Sequence, residues 1–391
     1  PGRYLRSETG TIEKEIIMFS KLIMGVCAVS MLSSACTTRN ASQQRAENEL
    51  TMLVGTYTSG NSKGIYTFRF NQETGSVSPL SEIEVSNPSY LTLSADNRFV
   101  YAVSEQNDSA AAVHAFSFNK KNGTLQLLNS QKTRSEDPCY VSTDGRKVLT
   151  ANYSGGTMSV FPIRYDGSLD PSDTLFQGSA SGPDTDRQGT PHIHCAIFSP
   201  DSNYIFATDF SADRILRYAV HSKEELPRPL SEAVDIQPGS GPRHLILSKN
   251  GKYAYLINEL SGKVIAFAYA DGRLNEIQTI TADTIQARGS ADIHLSPDGK
   301  YLYVSNRLKE DGIAIFEVNP EKGTLAKVGY QLTGSHPRNF NITPNGKYLL
   351  VACRDSNAIQ IFERDIVSGL LKKTGEEIKM DKPVCIQFAG E

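Results

Sequence analysis

The residues best suited to chemistry in this sequence are histidines, arginines and glutamates that recur at related positions along the chain. They are His192, His194, Arg243, Arg307, Arg338, Glu105 and Glu259, and Asn152 and Asn339 lie beside them in the same pattern. A neutral imidazole or a carboxylate can act as a general base toward water. A guanidinium binds carboxylates and phosphates through paired donors and stabilises a developing oxyanion. The set therefore predicts a site that binds an anionic group and activates water.

These residues belong to a repeat whose elements must position them. In each copy a short alternating strand is followed by a turn rich in Asp, Asn and Gly and then by a second apolar strand. Successive copies begin 46 to 53 residues apart, at Pro88, Pro138, Pro191, Pro242, Ala291 and Pro337. A third strand and a weaker fourth strand follow, and the Asp-Gly and Asn-Gly turns are strong hairpin signals. Four short strands per repeat are typical of β-propeller blades.

The two ends of the sequence supply a seventh blade. The segment TMLVGTY (51–57) matches the second strand of a copy, and KPVCIQF (382–388) matches a first strand without a successor. We therefore expect the C-terminal strand to complete the first blade, which closes the ring and removes exposed sheet edges. The sequence predicts an all-β fold, a seven-bladed β-propeller of four-stranded blades over residues 51–391.

The repeat also predicts where the reactive residues meet, because the end of each hairpin opposite its turn brings two positions together. The start of the first strand supplies Ser89, Cys139, His194, Arg243, Ala291, Arg338 and Val384. The end of the second strand supplies Tyr57, Glu105, Tyr153, Phe210, Glu259, Arg307 and Arg354. The strand interiors, by contrast, are interpreted as uniformly apolar. We expect a site at one mouth of the central channel; the alternative is that Arg–Glu pairs only bridge neighbouring blades.

The N-terminal region is predicted to be a secretion signal with a lipid anchor. Residues 1–17 are polar and lack an initiating Met, so we interpret them as an over-called start or as residues added by cloning. Residues 18–36 combine Lys21, an apolar stretch and small residues before Cys36, as in a bacterial lipobox. We expect lipidation at Cys36, a polar tether over 37–50 and a periplasmic, membrane-anchored protein. An ordinary secretory signal with an incidental cysteine is the alternative.

The bulk properties and missing motifs argue against several other classes. The formal net charge of −3 gives no reason to expect a nucleic-acid partner. No Cys/His spacing indicates a metal, and the P-loop, the dinucleotide fingerprint and the nucleophile elbow are missing. We expect neither metal nor cofactor. The remaining cysteines are expected to be buried thiols, although an oxidising compartment would permit disulfides; they are Cys139, Cys195, Cys353 and Cys385.

The motifs of the repeat resemble those of a known family. The segments that carry the resemblance are TPHIHCAIFSPD (190–201), GSGPRHLILSKNGKYAYLINE (239–259), HLSPDGKYLYVSNR (294–307) and HPRNFNITPNGKYLLVACRDS (336–356). They are similar to the lactonase family of seven-bladed propellers. That family includes propeller-type 6-phosphogluconolactonases and is related to the fungal carboxy-muconate lactonizing enzymes. The resemblance covers about residues 52–388.

The resemblance implies metal-independent hydrolysis of a sugar lactone at the channel mouth. Matching motifs place the catalytic residues at His194 (or His192), Arg243, Glu259 and Arg307. His194 or Glu259 would activate water, an arginine would hold the oxyanion, and Arg338 would bind a phosphate or carboxylate of the substrate. The predicted substrate-binding residues are His192, Arg338, Asn339, Asn152 and Glu105.

The secretion signal makes the identity of the substrate an open question. A phosphorylated gluconolactone is expected to be scarce outside the inner membrane, so an unphosphorylated aldonolactone is an alternative. Two further functions stay open. One is a non-catalytic propeller that binds a carbohydrate or a protein, and the other is a lactone-forming cycloisomerase that uses similar residues in the reverse direction.

Overall fold

The computed structural model describes Gly2 and residues 48–172, 174–220, 226–230 and 233–390. The predicted leader 1–17, the signal segment 18–36 with Cys36, and the tether up to residue 47 lie outside the described residues. Residues 50–391 form one compact unit. Within the described part of the chain, no helix is long and apolar enough to cross a membrane.

The described strands form seven antiparallel sheets around a central channel, which confirms the predicted propeller. Blade 1 begins with β1 (Glu49–Thr56), β2 (Gly64–Asn71) and β3 (Val77–Glu84). Blade 2 contains β4 (Leu91–Leu93), β5 (Phe99–Ser104), β6 (Ala112–Asn119) and β7 (Thr124–Lys132). Blade 3 contains β8 (Pro138–Thr143), β9 (Lys147–Asn152), β10 (Thr157–Pro162) and β11 (Leu175–Gln177). Blade 4 contains β12 (Ile193–Phe198), β13 (Tyr204–Asp209), β14 (Arg214–Ala219), β15 (Arg228–Pro229) and β16 (Val234–Asp235).

The remaining blades follow the same plan. Blade 5 contains β17 (Pro242–Leu247), β18 (Tyr253–Asn258), β19 (Lys263–Ala270) and β20 (Arg273–Thr281). Blade 6 contains β21 (Ser290–Leu295), β22 (Tyr301–Asn306), β23 (Gly312–Val318) and β24 (Leu325–Leu332). Blade 7 contains β25 (Pro337–Ile342), β26 (Tyr348–Cys353), β27 (Ala358–Arg364) and β28 (Leu371–Lys379), with a 3₁₀ turn at Arg354–Ser356.

The last strand closes the ring as the sequence predicts. Strand β29 (Pro383–Ala389) pairs antiparallel with β1, so Met52 lies opposite Phe388 and Val54 lies opposite Ile386. Blade 1 therefore has the strand order β29-β1-β2-β3, and β29 lines the channel. β1 starts at Glu49, so the last two residues of the predicted tether already belong to the sheet.

Blade 4 departs from the regular plan in two ways. Its outer edge consists of two short strands, β15 and β16, which both pair with β14. The connection that enters it, residues 178–192, is longer than the other described connections between blades, the next longest being 282–289. This long connection contains the helix α1 (Thr185–Gln188), whose first turn is capped by Asp184.

Apolar side chains of adjacent blades pack against each other and hold the ring together. Between blades 5 and 6, for example, Tyr255 and Ile257 pack with Leu302 and Val304, and all four are fully buried. Aliphatic and aromatic side chains on paired strands give this inter-blade packing its apolar area.

The end of the ring that carries the hairpin turns repeats one hydrogen-bonding pattern, and we call it the turn end. In five blades a Ser or Thr hydroxyl lies 2.5 to 2.8 Å from the side-chain oxygen of an Asp or Asn two residues later. The pairs are Ser94–Asp96, Ser199–Asp201, Ser248–Asn250, Ser296–Asp298 and Thr343–Asn345. Such local side-chain bonds fix the tight turn between the two strands of each hairpin.

Candidate active site

The opposite end of the channel, the mouth, is shaped by a β-bulge that recurs in the inner strands. In six blades the pairing of the first two strands shifts register at the predicted ring position. The residues passed over are Cys139, His194, Arg243, Arg338 and Val384, together with Ala291 and Asp292 in blade 6. A bulge leaves one residue unpaired and redirects its side chain. The repeat therefore positions the ring residues through a backbone irregularity.

Glu259, at the end of β18, is the centre of a cluster of positive charge. Its Oε2 lies 3.0 Å from Arg243 Nε and 3.2 Å from Arg307 Nη2, and its Oε1 lies 2.6 Å from Arg187 Nη2. The residue is only 7% exposed. Burial acts to raise the pKa of Glu259, but Arg307, Arg243 and Arg187 together lower it to about 2. Glu259 is therefore a carboxylate at any physiological pH.

Arg243 is buried and held on several sides. Its Nε donates to Glu259, while its Nη1 donates to the Ala291 carbonyl at 2.6 Å and lies 3.2 Å from His244 Nε2. Arg307 is fixed similarly, because its Nε donates to the Gly289 carbonyl at 2.8 Å. Both guanidiniums are thus held in place without a substrate, as transition-state stabilisation by preorganised donors requires.

A second pair, Arg338 and Glu105, lies at the mouth with Tyr57. Arg338 Nη2 lies 3.7 Å from Glu105 Oε2, and the guanidinium lies over the Tyr57 ring, 5.4 Å from its centroid. The Tyr57 hydroxyl donates to Glu105 at 3.0 Å. At 3.7 Å the Arg338–Glu105 contact is an ion pair without a short hydrogen bond. Arg338 is therefore less tightly paired than Arg243.

His194 and His192 both lie against Tyr153 but differ in burial. The His192 ring stacks on Tyr153 at 4.1 Å, and its Nδ1 lies 2.8 Å from the Tyr153 carbonyl oxygen. His194 is 4% exposed, and its Nδ1 lies 3.7 Å from Cys139 Sγ. Burial, and after it the positive charges of Arg243 and Arg338, hold the pKa of His194 well below its ordinary value. His194 is therefore a neutral imidazole with a lone pair at neutral pH.

The two asparagines of the predicted set form their side-chain hydrogen bonds with residues outside the Arg–Glu cluster. Asn152 is fully buried inside blade 3, where its amide nitrogen donates to Thr157 and Ser159. Asn339 donates to Asp292 at 2.6 Å and accepts from the Ile386 amide at 2.7 Å. Both side chains have protein partners, so neither resembles the exposed donors expected of a substrate contact.

Arg187 is a functional candidate that the repeat could not indicate, because it lies on α1 in the long connection into blade 4. Besides its ion pair with Glu259, its guanidinium lies over the Phe210 ring, 5.5 Å from the centroid. Gln188, 1% exposed, anchors the same helix by donating to the Phe210 carbonyl at 2.9 Å. Asp184 pairs with Arg288 of the connection 282–289. The long connection therefore reaches across the mouth from blade 4 toward blades 5 and 6.

Directly below the mouth, the inner strands contribute a layer that corrects the interpretation of uniformly apolar strand interiors. We call it the plug layer; it consists of Tyr90, Tyr140, Cys195, His244, Asp292, Asn339 and Cys385, each next in sequence to a ring position. Tyr90 and Tyr140 stack at 4.3 Å, and the His244 ring packs edge-on against Tyr140 at 5.1 Å. The contacts of Tyr90 and Tyr140 with His244 join blades 2 and 3 to blade 5 across the channel below the site.

The described cysteines all lie buried as free thiols: Cys139, Cys195, Cys353 and Cys385. Among the described residues, no group of three or more His, Cys, Asp and Glu side chains is arranged to hold a metal ion. At the mouth, the guanidiniums of Arg187, Arg243, Arg307 and Arg338 exceed the two carboxylates of Glu105 and Glu259. The excess of positive charge favours an anionic ligand or a reaction that develops negative charge.

Fold and site together define a closed seven-bladed propeller with an arginine-rich channel mouth. The profile of the family described as "Lactonase, 7-bladed beta-propeller" matches residues 51–388, and the chain belongs to this family. A curated 6-phosphogluconolactonase of Formosa agariphila is 38% identical over 86% of this chain and 99% of its own length.

Two solved structures extend the comparison. A putative 6-phosphogluconolactonase of Bacteroides uniformis is 69% identical, with a TM-score of 0.87, and the match covers 88% of this chain and 100% of that one. A Pseudomonas aeruginosa protein described as a periplasmic gluconolactonase is 36% identical, with a TM-score of 0.82, over 88% of this chain and 99% of its own. The chain is thus similar over its whole propeller to proteins named as lactonases.

Proposed function

We propose that the protein hydrolyses the ester bond of a sugar lactone at the channel mouth. The observation that carries this proposal is the cluster in which Arg243 and Arg307 are fixed around the Glu259 carboxylate, at the same end of the channel as the neutral His194. Fixed cations serve a reaction that passes through an oxyanion, and a neutral imidazole serves one that removes a proton from water. The family to which the chain belongs supports the same reaction class.

Of the two bases that the sequence left open, we assign proton transfer to His194. Glu259 accepts hydrogen bonds from Arg187 and Arg243 and forms an ion pair with Arg307, so the carboxylate is engaged and its basicity is low. Its role is to hold Arg243 and Arg307 together despite their mutual repulsion. His194 has no such commitment, and the low pKa of His194 keeps it unprotonated in mild acid as well as at neutral pH.

The reaction consumes one water molecule. His194 takes a proton as the water oxygen attacks the lactone carbonyl carbon, and the negative charge that develops on the carbonyl oxygen lies against Arg243 or Arg307. The tetrahedral intermediate collapses, the bond from the acyl carbon to the ring oxygen breaks, and the ring oxygen receives the proton from His194. The products are a hydroxyl group and a carboxylic acid on one open-chain molecule, and at neutral pH the acid releases its proton to solvent, which leaves a carboxylate.

Arg338 and Arg187 are the residues that we assign to an anionic or strongly polar group of the substrate. Arg338 is loosely paired, and Arg187 is partly exposed on α1. The curated relative is named for a phosphorylated lactone, whereas the Pseudomonas protein is named for gluconolactone. We favour an unphosphorylated aldonolactone for this protein, because the predicted signal at 18–36 directs it out of the cytoplasm.

We further propose that the protein is a periplasmic lipoprotein anchored through Cys36. The lipobox-like sequence before Cys36 supports this, as does the similarity to a protein described as periplasmic. Labelled fatty acid should be incorporated into the wild-type protein during expression, and not into Cys36→Ser. Equal incorporation in both would exclude Cys36 as the site.

The decisive experiment is lactone hydrolysis by protein that starts near Ala41. Proton release is followed for gluconolactone with and without the 6-phosphate, and spontaneous ring opening is subtracted. We expect the wild type to exceed the background and Arg243→Ala to fall by about 10²–10³-fold in kcat/KM, the usual effect of removing one oxyanion donor. Arg187→Ala should mainly raise KM, by more for the phosphorylated lactone if phosphate contacts this residue. If the wild type turns over neither lactone, the hydrolase proposal fails for these substrates.

A further inference from the structure

Asp292 of the plug layer is a buried carboxylate with an unusually complete set of partners. Oδ1 accepts from His244 Nδ1 at 2.8 Å and from the Ile293 amide at 3.0 Å. Oδ2 accepts from His294 Nε2 at 2.9 Å, from Asn339 Nδ2 at 2.6 Å and from the Phe340 amide at 3.3 Å. Burial acts to raise the pKa of Asp292, but His294 and His244 hold it well below the ordinary value. Asp292 is therefore ionised and acts only as an acceptor.

His244 lies between this carboxylate and Arg243. Its Nδ1 faces Asp292 at 2.8 Å, and its Nε2 faces Arg243 Nη1 at 3.2 Å. A carboxylate only accepts and a guanidinium only donates, so both partners require one tautomer, with the proton on Nδ1 and the lone pair on Nε2. The ring is 4% exposed and packs edge-on against Tyr140 and Tyr90 at 5.1 and 6.0 Å. Its orientation is therefore fixed by aromatic contacts as well as by hydrogen bonds.

We propose that Asp292 and His244 are positioning residues for Arg243, acting through the fixed tautomer of His244. Asp292 holds the proton on Nδ1, which leaves Nε2 as an acceptor that sets the plane of the Arg243 guanidinium. The imidazole is neutral, so it orients Arg243 without neutralising its charge. A second carboxylate in direct contact would orient the guanidinium equally well but would weaken its attraction for an oxyanion.

The arrangement also gives a role to Asn339, which the sequence placed at the substrate. Its amide donates to Asp292 Oδ2, and its oxygen accepts from the backbone of β29. Asn339 therefore links the carboxylate in blade 6 to blades 7 and 1. Through these contacts, residues of blades 6, 7 and 1 help to hold Arg243 in place.

Two substitutions of His244 separate its two hydrogen bonds. The side-chain amide of Gln reaches about as far as Nε2, so His244→Gln can keep an acceptor for Arg243 while losing the donor to Asp292. The amide of Asn reaches about as far as Nδ1, so His244→Asn can keep the donor to Asp292 while losing the acceptor. We expect His244→Asn to lower kcat for lactone hydrolysis by about 10–100-fold, because the Arg243 guanidinium loses the acceptor that sets its plane and residues that orient a functional group typically contribute this much. KM should stay within about threefold, and His244→Gln should retain at least about a fifth of kcat.

A purely structural role for His244 predicts the reverse order. If the residue served only to satisfy buried Asp292, His244→Gln would be the less stable and the less active variant. His294→Asn is the matched control, because its shorter amide does not reach the position of Nε2 and so removes the hydrogen bond to Asp292 Oδ2, the carboxylate oxygen that His244 does not use. Its kcat should stay within about threefold of the wild type. A loss in His294→Asn as large as that in His244→Asn would overturn the proposal.

The activity assays rest on the proposed lactonase function, so a second measurement tests the inference without it. Nitrogen NMR of protein labelled in histidine reports which ring nitrogen carries the proton, and the His244 signals are assigned by their loss in His244→Gln. The proposal requires the Nδ1–H tautomer at neutral pH, and Asp292→Asn should alter it. A protonated Nε2 at neutral pH would overturn the inference. If the wild type is inactive but shows the required tautomer, the proposed substrate fails and the positioning role stands.

Discussion

At the turn end, five blades repeat the same bond between a Ser or Thr hydroxyl and an Asp or Asn side chain, whereas at the mouth no two blades present the same pair of ring residues. Both ends belong to the same hairpins, so the difference does not come from the backbone plan. The turn end meets one local demand in each of the six hairpins that join a first strand to a second, which is to reverse the chain. The mouth surrounds a single channel in which each blade contributes a different part. Repetition thus marks the residues that build the blade, and divergence marks those available for a site.

Arginine offers the sharpest test of this comparison, because buried arginines lie at both ends. Arg364, at the turn end, donates to the Gly346 carbonyl at 2.7 Å and lies 3.4 Å from Asp298. Arg243→Lys should lower kcat/KM by about 10²–10³-fold, since an ammonium cannot reproduce the fixed fork of donors. Arg364→Lys should leave kcat within about twofold, although its unfolding free energy falls. Equal losses of activity in the two variants would show that Arg243 has no catalytic role beyond the structural role of a buried arginine.

The next largest effect is expected at His194. Replacing it with Gln removes the proton acceptor while keeping a polar side chain of similar reach, so kcat should fall by about 10²-fold. His114→Gln is the control, because His114 lies on β6 and bonds Ser130 instead of any mouth residue. Hydrolysis of gluconolactone by the purified variants measures both. Wild-type kcat in His194→Gln would assign the proton transfer to another group.

Lowering the pH should destabilise the mouth before the turn end, because the buried histidines with lowered pKa values lie at the mouth or directly below it. Burial, followed by nearby arginines, lowers the pKa of His244 to about 4 and that of His336 to about 3, and holds the pKa of His194 well below its usual value. In the unfolded chain these groups have a pKa of about 6.5, so the unfolded state binds more protons below that pH. The stabilising contribution of these neutral histidines is fully present above about pH 7, and the unfolding free energy falls as the pH drops toward 5.

Between pH 7.5 and pH 5 each such histidine contributes a loss of about 2 kcal/mol, so we expect the three together to lower the unfolding free energy by on the order of 6 kcal/mol. Urea denaturation at a series of pH values measures it, and carboxylates contribute little in this window because they stay ionised. The variant His336→Gln should show a smaller loss than the wild type. A midpoint that does not move with pH would mean that these histidines are not neutral in the folded protein.

The smallest effect is expected at the turn end itself. Ser296 lies 2.6 Å from Asp298 and accepts from the Tyr301 amide at 3.0 Å, so Ser296→Ala should cost about 1 kcal/mol of unfolding free energy. Kinetic constants should not change, because this turn lies at the opposite end of its hairpin from the mouth. Thermal unfolding and initial rates on the same preparation test both halves of the prediction. If activity fell by more than the fraction of folded protein, the turn end would also affect catalysis, and the contrast between the two ends would be wrong.

The sequence predicted the blades, their number and the closing strand, because turn dipeptides and strand alternation are local signals that a repeat shows many times. It also placed Arg243, Glu259 and Arg307 together by register alone. The sequence did not indicate Arg187, because this residue lies in a connection that has no counterpart in the other copies. Its contact with Glu259 is visible only in the folded structure. The plug layer was misjudged because a polar residue such as Asp292 inside an otherwise apolar strand gives no periodic signal. Its tyrosines, histidine and asparagine, each directly after a ring position, were the available clue.

The pairing of β29 with β1 has a consequence for how the molecule is made. Synthesis delivers Glu49–Thr56 early, but its inner neighbour, Pro383–Ala389, emerges only after the other six blades. Every other blade can form from contiguous chain, whereas the first must wait for a contact of very high sequence separation, and such contacts slow folding. Until β29 is made, one edge of β1 is open to pairing with another chain. Removal of β29 alone should therefore produce an open ring prone to association, out of proportion to the length removed.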